Sequence, residues 1–197
     1  IRYHEGDLPD LDRFHASVAI DTETMGLDPH RDRLCLVQLS SGDGSADIVR
    51  IRRGQTRAPN LERLLADPSI LKIFHYARFD LGVLMHTFGF PPGPVWCTKV
   101  ASRLVRTFTD CHGLKDLARE LIGVELSKQQ QSSDWGAETL SDAQLAYAAS
   151  DVLYLHQLKD RLEPLLVREG RLDVAEACFR FLPTRAKLDL LGWDEVD

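Results

Sequence analysis

Apolar positions along this 197-residue chain change their spacing twice, and each change marks a different kind of structure. Up to about residue 51 they form short runs divided by turn residues. Residues 17–23 predict a strand that begins apolar at Val18, Ala19 and Ile20, and Gly26 with Asp28-Pro29 forces a turn after it. Leu34-Cys35-Leu36-Val37-Gln38-Leu39 predicts a second strand, apolar on both faces and therefore central in its sheet. Ser41-Gly42-Asp43-Gly44 is a hairpin-grade turn, and a third strand follows over 46–51. Three strands joined by such short links predict an antiparallel meander. Residues 1–16 are polar, with Pro9, and read as an irregular or edge segment.

From residue 52 strands and helices alternate. Asn60 is placed to cap a short helix carrying Leu61, Leu64 and Leu65, which stops at Asp67-Pro68. Residues 70–75 predict a fourth strand, and 78–88 a helix that ends at Gly89. Pro91-Pro92-Gly93-Pro94 is a rigid connector, and Val95-Trp96-Cys97 a short fifth strand. Beyond residue 97 the spacing is helical: 98–106, then Leu114, Leu117, Ala118 and Leu121 up to Gly123. Ser141 and Gln144 form a capping-box signature for one long helix to about Val167. A last helix runs from about Arg171 to Leu182-Pro183, with an apolar tail after it. Strands, then alternation, then helices predict one mixed α/β domain over 1–197. Its sheet is part antiparallel meander and part parallel, with helices on its faces.

Composition changes little in this picture. Hydrophobic residues at 44% and charged residues at 27% are ordinary for a globular chain. There is no run of about 18 apolar residues to span a membrane, and residues 1–7 lack the apolar region of a secretory signal. Cys35, Cys97, Cys111 and Cys178 are scattered, with no C-x-x-C pair, as expected of small buried hydrophobes in a reducing cytoplasm. A net charge of −6 argues only weakly against a nucleic-acid partner, because local clusters outweigh the sum. Lys99, Arg103, Arg106, Lys115, Arg119 and Lys128 make one such basic stretch, which suits either a phosphate backbone or a solvated face.

The acidic residues carry the chemistry. Asp21 and Glu23, at i and i+2 on one strand, place two carboxylates on one face about 7 Å apart. Their repulsion calls for a hard divalent cation between them. Asp80 sits on the first turn of an otherwise apolar helix, where it is a candidate third ligand or a plain helix-dipole acid. Asp151 lies past the dipole's reach among small and apolar neighbours, and a buried carboxylate there needs a partner. Tyr147, one turn earlier, projects from the same helical face.

Taken in order, Asp-x-Glu on the first strand, Asp after the fourth strand and Tyr-x-x-x-Asp on a late helix resemble the DEDD exonuclease superfamily. The tyrosine resembles its DEDDy branch, and the likeness to the ribonuclease D catalytic domain spans about residues 17–170. Gly113–Ala118, Gly123–Lys128 and Ser133-Asp134-Trp135 add to it. The resemblance implies an RNase H-like fold and a 3'-5' exonuclease releasing nucleoside monophosphates. It further implies two Mg²⁺ or Mn²⁺ ions held by Asp21, Glu23, Asp80 and Asp151, with Asp21 as bridge, and an attacking water oriented by Tyr147. Thr24 and Leu27 match positions that meet a strand's 3' end, although Leu27 equally suits turn packing. His75 suits a phosphate contact or a strand end, and Lys128 is the favoured member of the basic stretch. Polymerase-type relatives often carry Asn where this chain has Tyr76, so no asparagine role transfers.

The expected substrate is a single-stranded RNA 3' end, as in tRNA or structured-RNA processing. A DNA-directed exonuclease is the near alternative, and a non-catalytic nucleic-acid-binding module the distant one. Longer ribonuclease D proteins continue into helical HRDC domains; here 171–197 has room for one or two helices, packed on the domain or supporting a homodimer.

Overall fold

The computed structural model describes residues 1–197. Its first elements are Arg2–Glu5 (β1), Ser17–Thr24 (β2), Leu34–Ser40 (β3), Asp47–Arg50 (β4) and Pro59–Ala66 (α1). Leu71–Phe74 (β5), Ala77–Phe88 (α2) and Val95–Cys97 (β6) follow. The rest is helical: Thr98–Val105 (α3), Leu114–Ile122 (α4), Asp142–Leu153 (α5), Leu155–Arg168 (α6) and Leu172–Leu190 (α7).

The strands form one sheet in the order β1-β4-β3-β2-β5-β6. β2, β3 and β4 are the predicted antiparallel meander. β3 is buried at every residue, as a strand apolar on both faces must be. β5 and β6 add in parallel on the β2 side. β1 is a parallel edge strand beside β4, tied down by Arg2, His4 and Arg13, which all reach the buried Asp47 carboxylate. This is the mixed RNase H-like sheet that the pattern and the resemblance predicted.

One detail of register creates the site. β5 pairs only with Ser17, Val18 and Ala19 of β2, whereas β3 follows β2 as far as Thr24. The half of β2 that carries Asp21 and Glu23 therefore projects beyond the carboxyl end of β5. Ligand crevices in open α/β sheets lie at such strand ends. A β-bulge between Glu23 and Thr24 turns the chain as it leaves the sheet. One core of 44 buried residues joins the inner faces of α2 (Ala77, Leu81, Leu84) and α5 (Ala148, Ala149, Val152) to the sheet between them.

Several expectations need correction. Asn60 is not the cap of α1: Ala58 is, with Pro59 at the first turn, and Asp7 accepts the Asn60 and Leu61 N–H groups at 2.9 Å. The predicted long helix is two, α5 and α6, broken at Tyr154 (φ −114°, ψ 0°). α7 does not stop at Pro183. It runs to Leu190, giving up one backbone hydrogen bond while Asp189 pairs with Arg78 of α2 at 2.6 and 2.7 Å. Cys111 is exposed rather than buried, although Cys35 and Cys97 fit the expectation. The capping box of α5 and the left-handed Gly89 that ends α2 formed as expected. No helix is long and apolar enough to cross a membrane.

Candidate active site

Asp21 and Glu23 leave one face of β2, and α5 crosses that face with Asp151 turned toward them. A carboxylate oxygen from each of the three lies within 4.8 Å of the other two. Asp80 comes from the first turn of α2 and is 3% exposed. Its Oδ1 accepts the Thr22 hydroxyl at 2.6 Å. Thr22 points away from its strand neighbours by the alternation of β2, so this bond fixes Asp80 beside the strand edge that β5 leaves free. Three of the four acids named from the sequence thus converge, and the fourth, Asp80, stands near enough to act on Asp21 and Glu23 electrostatically while its own hydrogen bond goes to Thr22.

Behind them stands a residue that sequence reasoning missed. Gln38, fully buried, is the register partner of Asp21 on β3. Its amide nitrogen lies 3.2 Å from Asp21 Oδ2, 3.4 Å from Glu23 Oε1 and 3.3 Å from the Ala148 carbonyl. It links both strand acids to α5. The signal was present: Gln38 is the lone polar residue inside the apolar run 34–39.

The electrostatics are those of a cation site. Burial raises every carboxyl pKa, and repulsion from the neighbouring acids adds to it at Asp21, Glu23 and Asp80. Asp21 stands well above its ordinary range, Glu23 at about 9 and Asp80 at about 8, while Asp151 rises by burial to about 7 and is held from going higher by hydrogen bonds with Asp21 and Glu23. No Lys or Arg is among the groups acting on them, and Gln38 and Thr22 supply only neutral donors. Oxygen-only donors held this close fit a hard divalent ion such as Mg²⁺.

Tyr147 sits one turn before Asp151 on α5. Burial and then the acids, Asp151 first, raise its phenol further, so at neutral pH it is an O–H donor rather than a base. Its ring stacks on Trp135, with centroids 5.9 Å apart and an interplanar angle of 27°. Trp135 is 3% exposed, and its indole N–H has no acceptor. It belongs to the polar segment 127–136, which Arg50 secures by donating to the Ala137 and Glu138 carbonyls. Gly136 lets Met25 pack close to the backbone there, and a side chain at this position would displace Met25 Sδ.

Asp21, Glu23, Asp151, Tyr147 and Trp135 line a cleft of about 730 Å³. Thr24, Leu27, His75 and Lys128 all lie on it, as do Tyr76, Lys99 and Lys115. Leu27 is 84% exposed, so it packs no turn; it stands on the rim as a free apolar surface. His75 is bonded through Nδ1 to the Thr98 hydroxyl at 2.8 Å. Burial, with Lys99 nearby, lowers its pKa to about 3, leaving it neutral and without charge for a phosphate. The basic stretch divides. Lys99, Lys115 and Lys128 face the cleft without carboxylate partners, whereas Arg106 is buried against Glu120 and Arg119 pairs with Asp116.

A mixed sheet of this order, with an acidic cluster where its central strand outruns its neighbour, defines a phosphodiester hydrolase of the RNase H-like exonuclease class. The 3'-5' exonuclease family matches residues 8–167, and the chain belongs to that family. Among curated relatives, ribonuclease D of Gluconacetobacter diazotrophicus is 41% identical over 156 residues, 79% of this chain but 39% of that protein. The chain thus spans about two fifths of the length of such relatives. Escherichia coli RNase D superposes with a TM-score of 0.78 at 29% identity, covering 94% of this chain and 47% of that one. Brucella melitensis NrnC is similar along its length: TM-score 0.97 and 64% identity, over 100% of this chain and 96% of that chain. Structures of that nuclease with bound Mg²⁺ and bound to pGG are equally similar, with TM-scores of 0.96 and 0.97.

Proposed function

We propose that this exonuclease is a two-metal enzyme, using Mg²⁺ or Mn²⁺, that hydrolyses RNA 3' ends to nucleoside 5'-monophosphates and accepts substrates as short as a dinucleotide. The observation that carries the reading is the convergence of Asp21, Glu23 and Asp151 within 4.8 Å in a cleft also lined by the unpaired Lys99, Lys115 and Lys128. The whole-length likeness to a nuclease bound to pGG supports the short substrate.

Asp21, Glu23 and Asp151, with Asp80 beside them, would hold the ions. Bound there, the ions supply Lewis acidity at the scissile phosphate and a more acidic water. The chain's own residues do the rest. The Tyr147 hydroxyl donates to the attacking oxygen and fixes its approach, while Trp135 behind the ring limits its swing. Gln38 keeps the two strand acids from rotating apart. Lys99, Lys115 and Lys128 draw in the phosphate backbone. Thr24 meets the terminal ribose through its backbone, and Leu27 wedges against the terminal bases.

The test is incubation with 5'-labelled single-stranded RNA, single-stranded DNA and a 5'-labelled RNA dinucleotide, in Mg²⁺, Mn²⁺ or EDTA. The expected result is shortening from the 3' end, and cleavage of the dinucleotide, in either metal and none in EDTA. Faster loss of DNA than RNA would reassign the substrate. Activity that survives EDTA would sink the metal mechanism.

A further inference from the structure

Tyr76 is the one non-glycine residue in the chain with a positive φ, at 63° with ψ 55°. This left-handed conformation is costly for a side-chain-bearing residue, and Gly or Asn takes it far more readily. Tyr76 makes no side-chain capping bond to α2, the helix it precedes, and the residue remains 45% exposed. Neither capping nor packing therefore explains a tyrosine here. Strain of this kind persists where the surrounding structure enforces it and the side chain is used.

The surroundings point to the use. Tyr76 lines the same cleft as Asp21, Glu23 and Asp151, four residues ahead of Asp80. Lys99 Nζ stands 4.1 Å from its ring centroid, a cation–π contact that holds the ring in place. Lys99 has no carboxylate partner, so its charge is free for another anion. An exposed aromatic face beside an unpaired ammonium, inside a cleft that ends in carboxylates, matches one ligand unit: a nucleobase and the phosphate next to it.

We propose that Tyr76 and Lys99 form a nucleotide subsite in the cleft that holds the acidic cluster, the ring stacking on a base and the ammonium pairing with the adjoining phosphate. The inference rests on the exonuclease reading above. The strained backbone sets the ring across the cleft, and Lys99 braces it before substrate arrives.

The experiment compares kcat and KM for an RNA dinucleotide and for the same dinucleotide with each base removed in turn. It uses the wild-type chain, Tyr76→Gly, Tyr76→Phe and Lys99→Ala. Tyr76→Gly should raise KM roughly 10-fold at nearly constant kcat, with a melting temperature no lower than wild type because glycine suits the backbone. Tyr76→Phe, which keeps the ring, should restore KM to within about 2-fold of wild type. On one of the two abasic dinucleotides the wild-type chain and Tyr76→Gly should converge. Lys99→Ala should raise KM and flatten its salt dependence. An unchanged KM in Tyr76→Gly, or a rise in KM that tracks a lower melting temperature, overturns the subsite. A wild-type chain that cleaves no substrate overturns the exonuclease reading instead.

Discussion

Ser17–Ala19 and Asp21–Thr24 belong to one strand, yet the sheet treats them differently. The first segment runs along β5, with Ala19 also pairing with Ser40 of β3, and Val18 and Ala19 are fully buried. The second keeps its β3 partner but has no β5 neighbour, and its free edge is filled by Asp80 and by the cleft. Stability comes from the half whose apolar side chains are fully buried in the core. Function is placed in the half that carries Asp21 and Glu23 and gathers Asp80 and Asp151 beside them, where burying like charges together is costly. The fold tolerates that cost because Gln38, Thr22 and the core beneath α2 and α5 hold the acids from behind.

Substitutions on the two halves should therefore have opposite signatures. Asp21→Asn should cut kcat by well over the ~100-fold seen for outer partners of metal ligands, yet its metal-free form should melt no lower than wild type. Val18→Ala should do the reverse, losing about 1–3 kcal/mol of stability while the folded enzyme turns over normally. Paired kinetic and thermal-unfolding measurements decide it; an Asp21→Asn chain that unfolds more easily would erase the distinction.

Gln38→Leu keeps the bulk and removes the amide, and should cost roughly 10–100-fold in activity or metal affinity. Tyr147→Phe should lower kcat by a similar ~10–100-fold with KM little changed. Trp135→Leu should lower kcat about 10-fold in the wild type but add almost nothing to Tyr147→Phe, since the pair acts as a unit. Additive losses in that double-mutant cycle would show that Trp135 serves something other than the tyrosine.

The smallest effect is thermal and follows from the sign of the pKa shifts. The carboxyl pKa values of Asp151, Asp80 and Glu23 are raised on folding, to about 7, 8 and 9. A raised folded-state pKa contributes stability that is present below the unfolded value, near 4, and lost as pH rises through the folded value. In EDTA the melting temperature should therefore fall by several degrees between pH 5.5 and 9. Mg²⁺ should recover it, and recover more at pH 9 than at pH 5.5. A flat melting profile in EDTA would mean that the acids are not buried in solution as they are here.

Most of this site could be read from the chain. Asp21 with Glu23 has strand spacing and Tyr147 with Asp151 helix spacing, and both are local rules. Gln38 could be noticed but not placed, because only the β2–β3 register puts it opposite Asp21. The same limit applies wherever a distant segment decides. Asp7 caps α1 from more than fifty residues away, and the packing of α7 on α2 overrides the stop expected at Pro183. The break at Tyr154 has no Pro or Gly beside it, so periodicity runs straight through.

The clasp between Arg78 and Asp189 bears on how much of the chain makes a working nuclease. Arg78 sits two residues before Asp80, and the segment that reaches back to grip it lies beyond residue 167, where the family match ends. α7 thus acts as a splint along the helix that presents one of the four acids. A chain trimmed to its matched region would retain every candidate ligand and lose the brace that aims one of them. For anyone cutting or fusing this protein, residues 172–190 belong with the active site rather than with the tail.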